Sequence, residues 1–309
     1  MVFPGQGSQS VGMLAELAAA FPLVRDCFQE ASDALNLDLW RLSQDGPESD
    51  LNQTQNTQPA MLTAGVSVWR VWQQQGGTIP SVMAGHSLGE YSALVCAGSI
   101  GFDDAVRLVA ERGRLMQAAV PAAGGAMAAI LGLDDDQVRT LCAEAAADQV
   151  CEAVNFNSPG QVVVAGNKEA IDRLLLLAKE AGAKRALLLA VSVPSHCALM
   201  KPAAEGLAKY LQETVIQAPV IPVIHNVNVG TATEPDKIRD LLTEQLFRPV
   251  RWVESVQAMK TSGAGVILEA GPGKVLSGLV KRIDKSLTGL AVFNPASLEA
   301  ALEEIANAE

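Results

Sequence analysis

No CxxC pair occurs among the five cysteines, Cys27, Cys96, Cys142, Cys151 and Cys197, and their odd number leaves at least one thiol unpaired within the chain. This argues against a disulfide framework and favours reduced thiols in a cytoplasmic protein. No apolar run approaches the roughly 20 residues of a membrane helix. The opening Met1-Val2-Phe3-Pro4 has neither the basic nor the apolar region of a secretory signal, so no membrane association is expected. Positive charge is scarce: 23 Lys and Arg stand against 34 Asp and Glu, a formal charge of -11. Such a surface repels a phosphate backbone, and no nucleic-acid partner is expected. No group of residues has metal-ligand spacing, so neither a metal nor another cofactor is expected. Low-complexity tracts and internal repeats are missing as well.

What is present is a chain of 309 residues, 49% hydrophobic, long enough to bury one large core or a large core with a small satellite. Apolar runs at 81–85 and 265–269 read as buried strands, followed by helical patterns from near Leu88 and Lys274. This alternation predicts an α/β fold with a mostly parallel sheet. Residues 219–227 and 289–293 are further strand candidates, and 299–308 reads as a closing amphipathic helix. A glycine-rich loop opens already at Pro4, leaving room for only the end of a first strand, and a helical pattern follows from about Gly12.

The stretch from about 122 to 195 has its own rhythm. It reads as strand 126–131, helix 134–147, strands 150–156 and 161–165, helix 168–181 ending at Gly182, and strand 185–193. Asn157-Ser158-Pro159-Gly160 is a turn signal between two β-branched runs, so the middle strands should form a hairpin. The order βαββαβ is that of the ferredoxin-like split motif. The expected organisation is thus a core of residues 1–121 and 197–309 with a small domain, 122–196, inserted in it.

The strongest chemical signal is Gly85-His86-Ser87-Leu88-Gly89, a GxSxG string between an expected strand and an expected helix. A nucleophile elbow needs such a turn, with glycines where the backbone crowds, and the N–H of Leu88 at the helix start suits an oxyanion. A plain serine at a helix N-cap would also explain Ser87. Serine needs a base, and only three histidines exist. His86 adjoins the serine and points elsewhere, and His225 sits in an expected strand. Elimination leaves His196, at the return from the inserted domain, where a cleft between domains would lie. The loop Pro4-Gly5-Gln6-Gly7-Ser8-Gln9 could cradle phosphate, supply a second oxyanion donor, or be a simple turn; it has no GxGxxG or GK[ST] string. No acidic residue with a distinctive setting stands between Ser87 and His196 to complete a triad in the usual hydrolase order.

Seven pieces in order carry a family resemblance over essentially the whole chain: PGQGSQ at 4–9, GHSLGEY at 85–91, RG at 112–113, NSPGQ at 157–161, VPSH at 193–196, EQLFRPVRW at 244–252 and EAGPGKVLSGLV at 269–280. With these the chain resembles the bacterial malonyl-CoA:acyl carrier protein transacylases. The resemblance implies a hydrolase-like α/β core with a ferredoxin-like insert, and two partners, malonyl-CoA and acyl carrier protein. It implies Ser87 as nucleophile, His196 as general base and acid, and the N–H groups of Gln6 and Leu88 as the oxyanion hole. It further implies the main-chain carbonyl of Gln245 as the group orienting His196, and Arg112 as the residue holding the malonyl carboxylate. Leu88 and Val193-Pro194-Ser195-His196 favour malonyl over methylmalonyl. Arg114, two positions beyond Arg112, would face solvent. The competing readings are an esterase or thioesterase with the same elbow, and a non-catalytic acyl-binding module.

Overall fold

The computed structural model describes residues 1–121, 124–191 and 193–308. Nine strands occur in it: β1 Val2–Phe3, β2 Met83–Gly85, β3 Gly125–Leu131, β4 Cys151–Ser158, β5 Gln161–Asn167, β6 Arg185–Leu188, β7 Val223–Ile224, β8 Val266–Ala270 and β9 Thr288–Val292. They form two separate sheets. One is parallel throughout, ordered β7-β2-β1-β8-β9, and the other is antiparallel, ordered β4-β5-β3-β6.

Strands buried on both faces need apolar residues at every position, because alternate side chains enter opposite layers. Val2, Ala84, Ile224 and Ile267 belong to one hydrophobic cluster, while Phe3, Met83, Val223 and Leu268 belong to another on the opposite face. Two residues of β1 therefore suffice for the central strand of the sheet, and both are fully buried. The larger layer is crossed by the helix Thr54–Gln74, buried on nearly every side, which packs against the helices Phe102–Ala119 and Leu23–Leu35.

The antiparallel sheet has helices Asp135–Ala146 and Lys168–Glu180 between its strands, in the chain order β3, helix, β4, β5, helix, β6. Asp134 and Gln137 form a reciprocal capping box at the start of the first helix. Ala128, Ile130, Phe156, Val162 and Val164 pack on these helices, while Met127, Val154 and Val163 gather in a second cluster with Cys197.

Several expected boundaries move. The strand expected at 219–227 shrinks to Val223–Ile224. That expected at 185–193 ends at Leu188, and its residue 192 lies outside the described residues, as does the boundary at 122. The helix expected from Gly12 begins at Ala15, because Gly12 (φ 84°) and Leu14 (φ 60°) are left-handed and break the helical path. The turn at 157–160 tightens, with Asn157 and Ser158 inside β4, Ser158 paired with Gln161, and Gly160 left-handed at φ 72°. No helix among the described residues is long and apolar enough to cross a membrane.

Candidate active site

Ser87 sits at φ 51°, in the left-handed region, between the end of β2 and the helix Gly89–Cys96. The crowding there is severe. A Cβ on Gly85 would lie 1.8 Å from the carbonyl carbon of Gly89, and one on Gly89 would lie 2.0 Å from the carbonyl oxygen of Phe3. Only glycine fits at either end of the turn. Strain of this kind persists where neighbours over-determine the backbone, and here they do. The Ser87 N–H donates to Asn226 Oδ1 (2.7 Å), the Asn226 amide donates to the Gly85 carbonyl (2.7 Å), and Gln245 Nε2 donates to the Ser87 carbonyl (3.1 Å). Ser87 is not the N-cap of the following helix; Leu88 is.

His196 is also left-handed, at φ 66°, with its N–H bonded to the Leu246 carbonyl. Its Nε2 lies 2.7 Å from Ser87 Oγ, and its Nδ1 lies 2.7 Å from the main-chain oxygen of Gln245. A carbonyl can only accept, so Nδ1 carries the hydrogen and Nε2 turns its lone pair to the serine hydroxyl. Burial, and after it the positive charge of Arg112, pushes the His196 pKa down to about 3. The ring is therefore neutral and able to take a proton at neutral pH.

Arg112, on the helix Phe102–Ala119, is 1% exposed. One terminal nitrogen donates to Gln58 Oε1 (2.9 Å). The other reaches Gln245 Oε1 (3.1 Å) and Ser87 Oγ (3.3 Å). Its guanidinium lies 5.3 Å from the centre of the Tyr91 ring, and Nε has no hydrogen-bond partner among the described residues. Among the described residues no carboxylate forms an ion pair with it. A buried cation without its own anion is costly, and burial accordingly lowers its pKa. Arg114, by contrast, is exposed and paired with Glu111 at 2.6 Å.

The residues singled out in the sequence thus converge. Gln6, Ser87, Leu88, Arg112 and His196 line one cavity of about 100 Å³, and Gln245 backs it. His86 also lines it, but its Nε2 faces Asn157 Oδ1 at 2.8 Å and its ring lies against Trp252, so it does not meet the serine. His225 is buried in the core.

The expectation that no acidic residue has a distinctive setting after Ser87 is corrected by Glu90. Its fully buried carboxylate takes His225 Nδ1 (2.8 Å), the Asn226 N–H (2.9 Å) and Gln245 Nε2 (2.8 Å). It does not touch His196; it fixes Asn226 and Gln245, which fix the elbow. Asn226, Gln58 and the side chain of Gln245 also went unread. One signal was available for Glu90, the sole charged residue in the otherwise uncharged helix Gly89–Cys96. Among the described residues no group of three or more His, Cys, Asp or Glu could hold a metal.

A hydroxyl hydrogen-bonded to a neutral imidazole, with a cation beside it, is equipped for acyl transfer to and from serine. Comparison with known proteins agrees with that chemistry. The acyl transferase domain family matches residues 1–298. The malonyl CoA-acyl carrier protein transacylase of Escherichia coli (strain K12) is 60% identical over 302 residues, 98% of either chain. An acyl carrier protein S-malonyltransferase from Vibrio cholerae superposes with a TM-score of 0.95 at 61% identity, over 97% of this chain and 98% of the other. A malonyl-transacylase solved in complex with its type II PKS acyl-carrier protein gives 0.97 at 58% identity, over 98% of each. With matches of this extent, the chain belongs to the acyl transferase domain family, among the malonyl CoA-acyl carrier protein transacylases.

Proposed function

We propose that this enzyme moves malonyl from malonyl-CoA to the phosphopantetheine thiol of acyl carrier protein through a malonyl ester on Ser87. The observation that carries the reading is the buried guanidinium of Arg112, without a carboxylate of its own and 3.3 Å from the serine oxygen. A general esterase or thioesterase has no use for a buried cation beside its nucleophile. A malonyl group does, because its free carboxylate matches the planar fork of arginine.

In the first half-reaction Ser87 Oγ attacks the thioester carbonyl while its proton passes to His196 Nε2. The N–H groups of Gln6 and Leu88 hold the oxyanion, that of Leu88 being one of the donors a helix start leaves without an intrahelical acceptor. The coenzyme A sulfur departs with the proton from His196. In the second half-reaction His196 takes the proton of the carrier's thiol, the thiolate attacks the ester, and the proton returns to Ser87. The Gln245 carbonyl orients the imidazole throughout.

Arg112 also ties binding to basicity. Its charge is the second cause of the depressed His196 pKa, and a malonyl carboxylate seated on it would offset that charge. The base then recovers part of its strength when the right substrate is present, while burial, the larger cause, still holds it low.

The same reading takes residues 1–121 and 197–309 as a hydrolase-like core and 122–196 as a ferredoxin-like insert. The parallel sheet with its elbow and the β4-β5-β3-β6 order support it. It also assigns the enzyme to the cytoplasm, in keeping with five unpaired cysteines. Intact-protein mass spectrometry after malonyl-CoA, with and without carrier protein, tests the function. Malonyl mass on the enzyme that moves to the carrier is the expected result, and its loss to water alone would refute transfer.

A further inference from the structure

Among the described residues, two buried side-chain polar atoms without a hydrogen-bond partner belong to residues lining the active-site cavity, Arg112 Nε and Asn155 Oδ1. The arginine has the malonyl carboxylate to meet. Asn155 has no part in the chemistry described so far.

Its position is built with care. Across β4 and β5 the register passes from Ala153 opposite Val164 to Asn155 opposite Val163, so Val154 is an extra residue and β4 carries a bulge. Bulges re-aim side chains. Directly paired residues share a face, and Val163 clusters with Met127, which lines the cavity. The bulge thus brings Asn155 to the cavity wall while Phe156 stays in the core between sheet and helices. The backbone on either side is pinned: Val250 N–H donates to the Val154 carbonyl and Phe156 N–H donates to the Val250 carbonyl. The same cavity is lined by the apolar side chains of Met116, Met127, Leu189 and Val191. A buried acceptor without a partner there calls for a donor on the ligand.

The proposed substrates offer few donors. An ionised malonyl carboxylate and a thioester carry acceptors only. The nearest N–H lies two methylenes beyond the sulfur, in the first amide of the pantetheine arm, and both coenzyme A and the carrier possess it. We propose that Asn155 Oδ1 accepts this N–H, while the apolar side chains pack on the methylenes. Asn155 is then a specificity-determining residue that reads the thiol carrier in both half-reactions. The inference rests on the transfer reading above.

The test is a cycle with one change on each partner. The substrates are malonyl-N-acetylcysteamine and its analogue with an ester oxygen in place of the amide N–H; the proteins are wild type and Asn155→Ala. The readout is kcat/KM for malonylation of Ser87, by intact mass. Wild type should prefer the amide by about tenfold, the size of one buried hydrogen bond, and Asn155→Ala should treat the two substrates alike. A wild-type ratio near one overturns the inference even if the variant fails to fold. An unchanged amide preference in a folded variant overturns it too. Absence of malonyl-Ser87 with every thioester, malonyl-CoA included, would refute the transfer reading and this inference with it.

Discussion

Replacing Arg112 with alanine separates recognition of malonyl from catalysis as such. The guanidinium is buried, shares one terminal nitrogen between Gln245 Oε1 and Ser87 Oγ, and keeps Nε without a hydrogen-bond partner among the described residues. A charge-assisted bond is worth about 1.5 to 3 kcal/mol, which is roughly ten- to 150-fold in kcat/KM. That loss should fall on malonyl-CoA alone, because acetyl-CoA has no second carboxylate. Acetyl transfer should hold or improve, since removing the cation lifts one of the two main causes of the low His196 pKa. The substitution also strips a donor from Gln58 Oε1 and Gln245 Oε1, each worth about 1 to 3 kcal/mol of stability if left unsatisfied. A lowered unfolding midpoint is therefore expected and is not the informative readout. Single-turnover acylation of Ser87 from each coenzyme A ester, followed by intact mass, cancels that common loss. Arg112→Lys, with the charge but not the fork, should fall between. Equal losses on the two substrates would make Arg112 structural and refute the reasoning.

Ser87→Ala should abolish covalent malonylation and His196→Ala should slow it severely, because nucleophile and base act as a unit; wild-type-like acylation by the serine variant would sink the mechanism. With the His196 pKa near 3, the acylation rate should stay level from pH 8 to about 5, and an acid limb near the ordinary histidine value of about 6.5 would contradict the assignment. The same shift has a stability sign: between about 3 and about 6.5 the unfolded chain binds this proton and the folded one does not, so stability is full above that window and is lost as pH falls through it. A pH series of unfolding midpoints checks this. Lys184 and Arg185 are exposed at the start of β6, the strand leading toward Leu189 and Val191 on the cavity wall. Reversing both to Glu should slow loading of an acidic carrier and flatten its salt dependence while sparing malonylation from coenzyme A. Carrier kinetics unchanged across ionic strength would remove them from the docking surface.

The parts legible in the sequence are those with short-range causes. The run Val162-Val163-Val164, the capping residue Asp134 and the Pro159-Gly160 turn each declare their structure within a few residues, and the βαββαβ order follows from them. Gly85 and Gly89 mark the elbow for the same reason. The helix Thr54–Gln74 is hard to see in the sequence, because its threonines and Pro59 are poor helix formers and its burial on nearly every side leaves no apolar stripe. The two-residue strands β1 and β7 carry no periodicity to detect. Glu90 and Asn226 stand 136 positions apart and meet only in the fold. Their pairing is set by long-range packing rather than by any local pattern.

The carbonyl behind His196 has a further consequence. A carboxylate in that place would stabilise the imidazolium with a full charge, whereas a peptide oxygen raises the imidazole's pKa only as a dipole and does not offset burial and the Arg112 charge, which keep it a feeble base. A feeble base discriminates among nucleophiles by their acidity. A thiol, with a pKa of about 8.5, needs little help to ionise, whereas water, at about 15.7, needs a great deal. The waiting ester is thereby guarded against hydrolysis by the weakness of the group that made it. No side-chain substitution at position 245 can delete that oxygen, so the orientation of this weak base is written into the backbone itself.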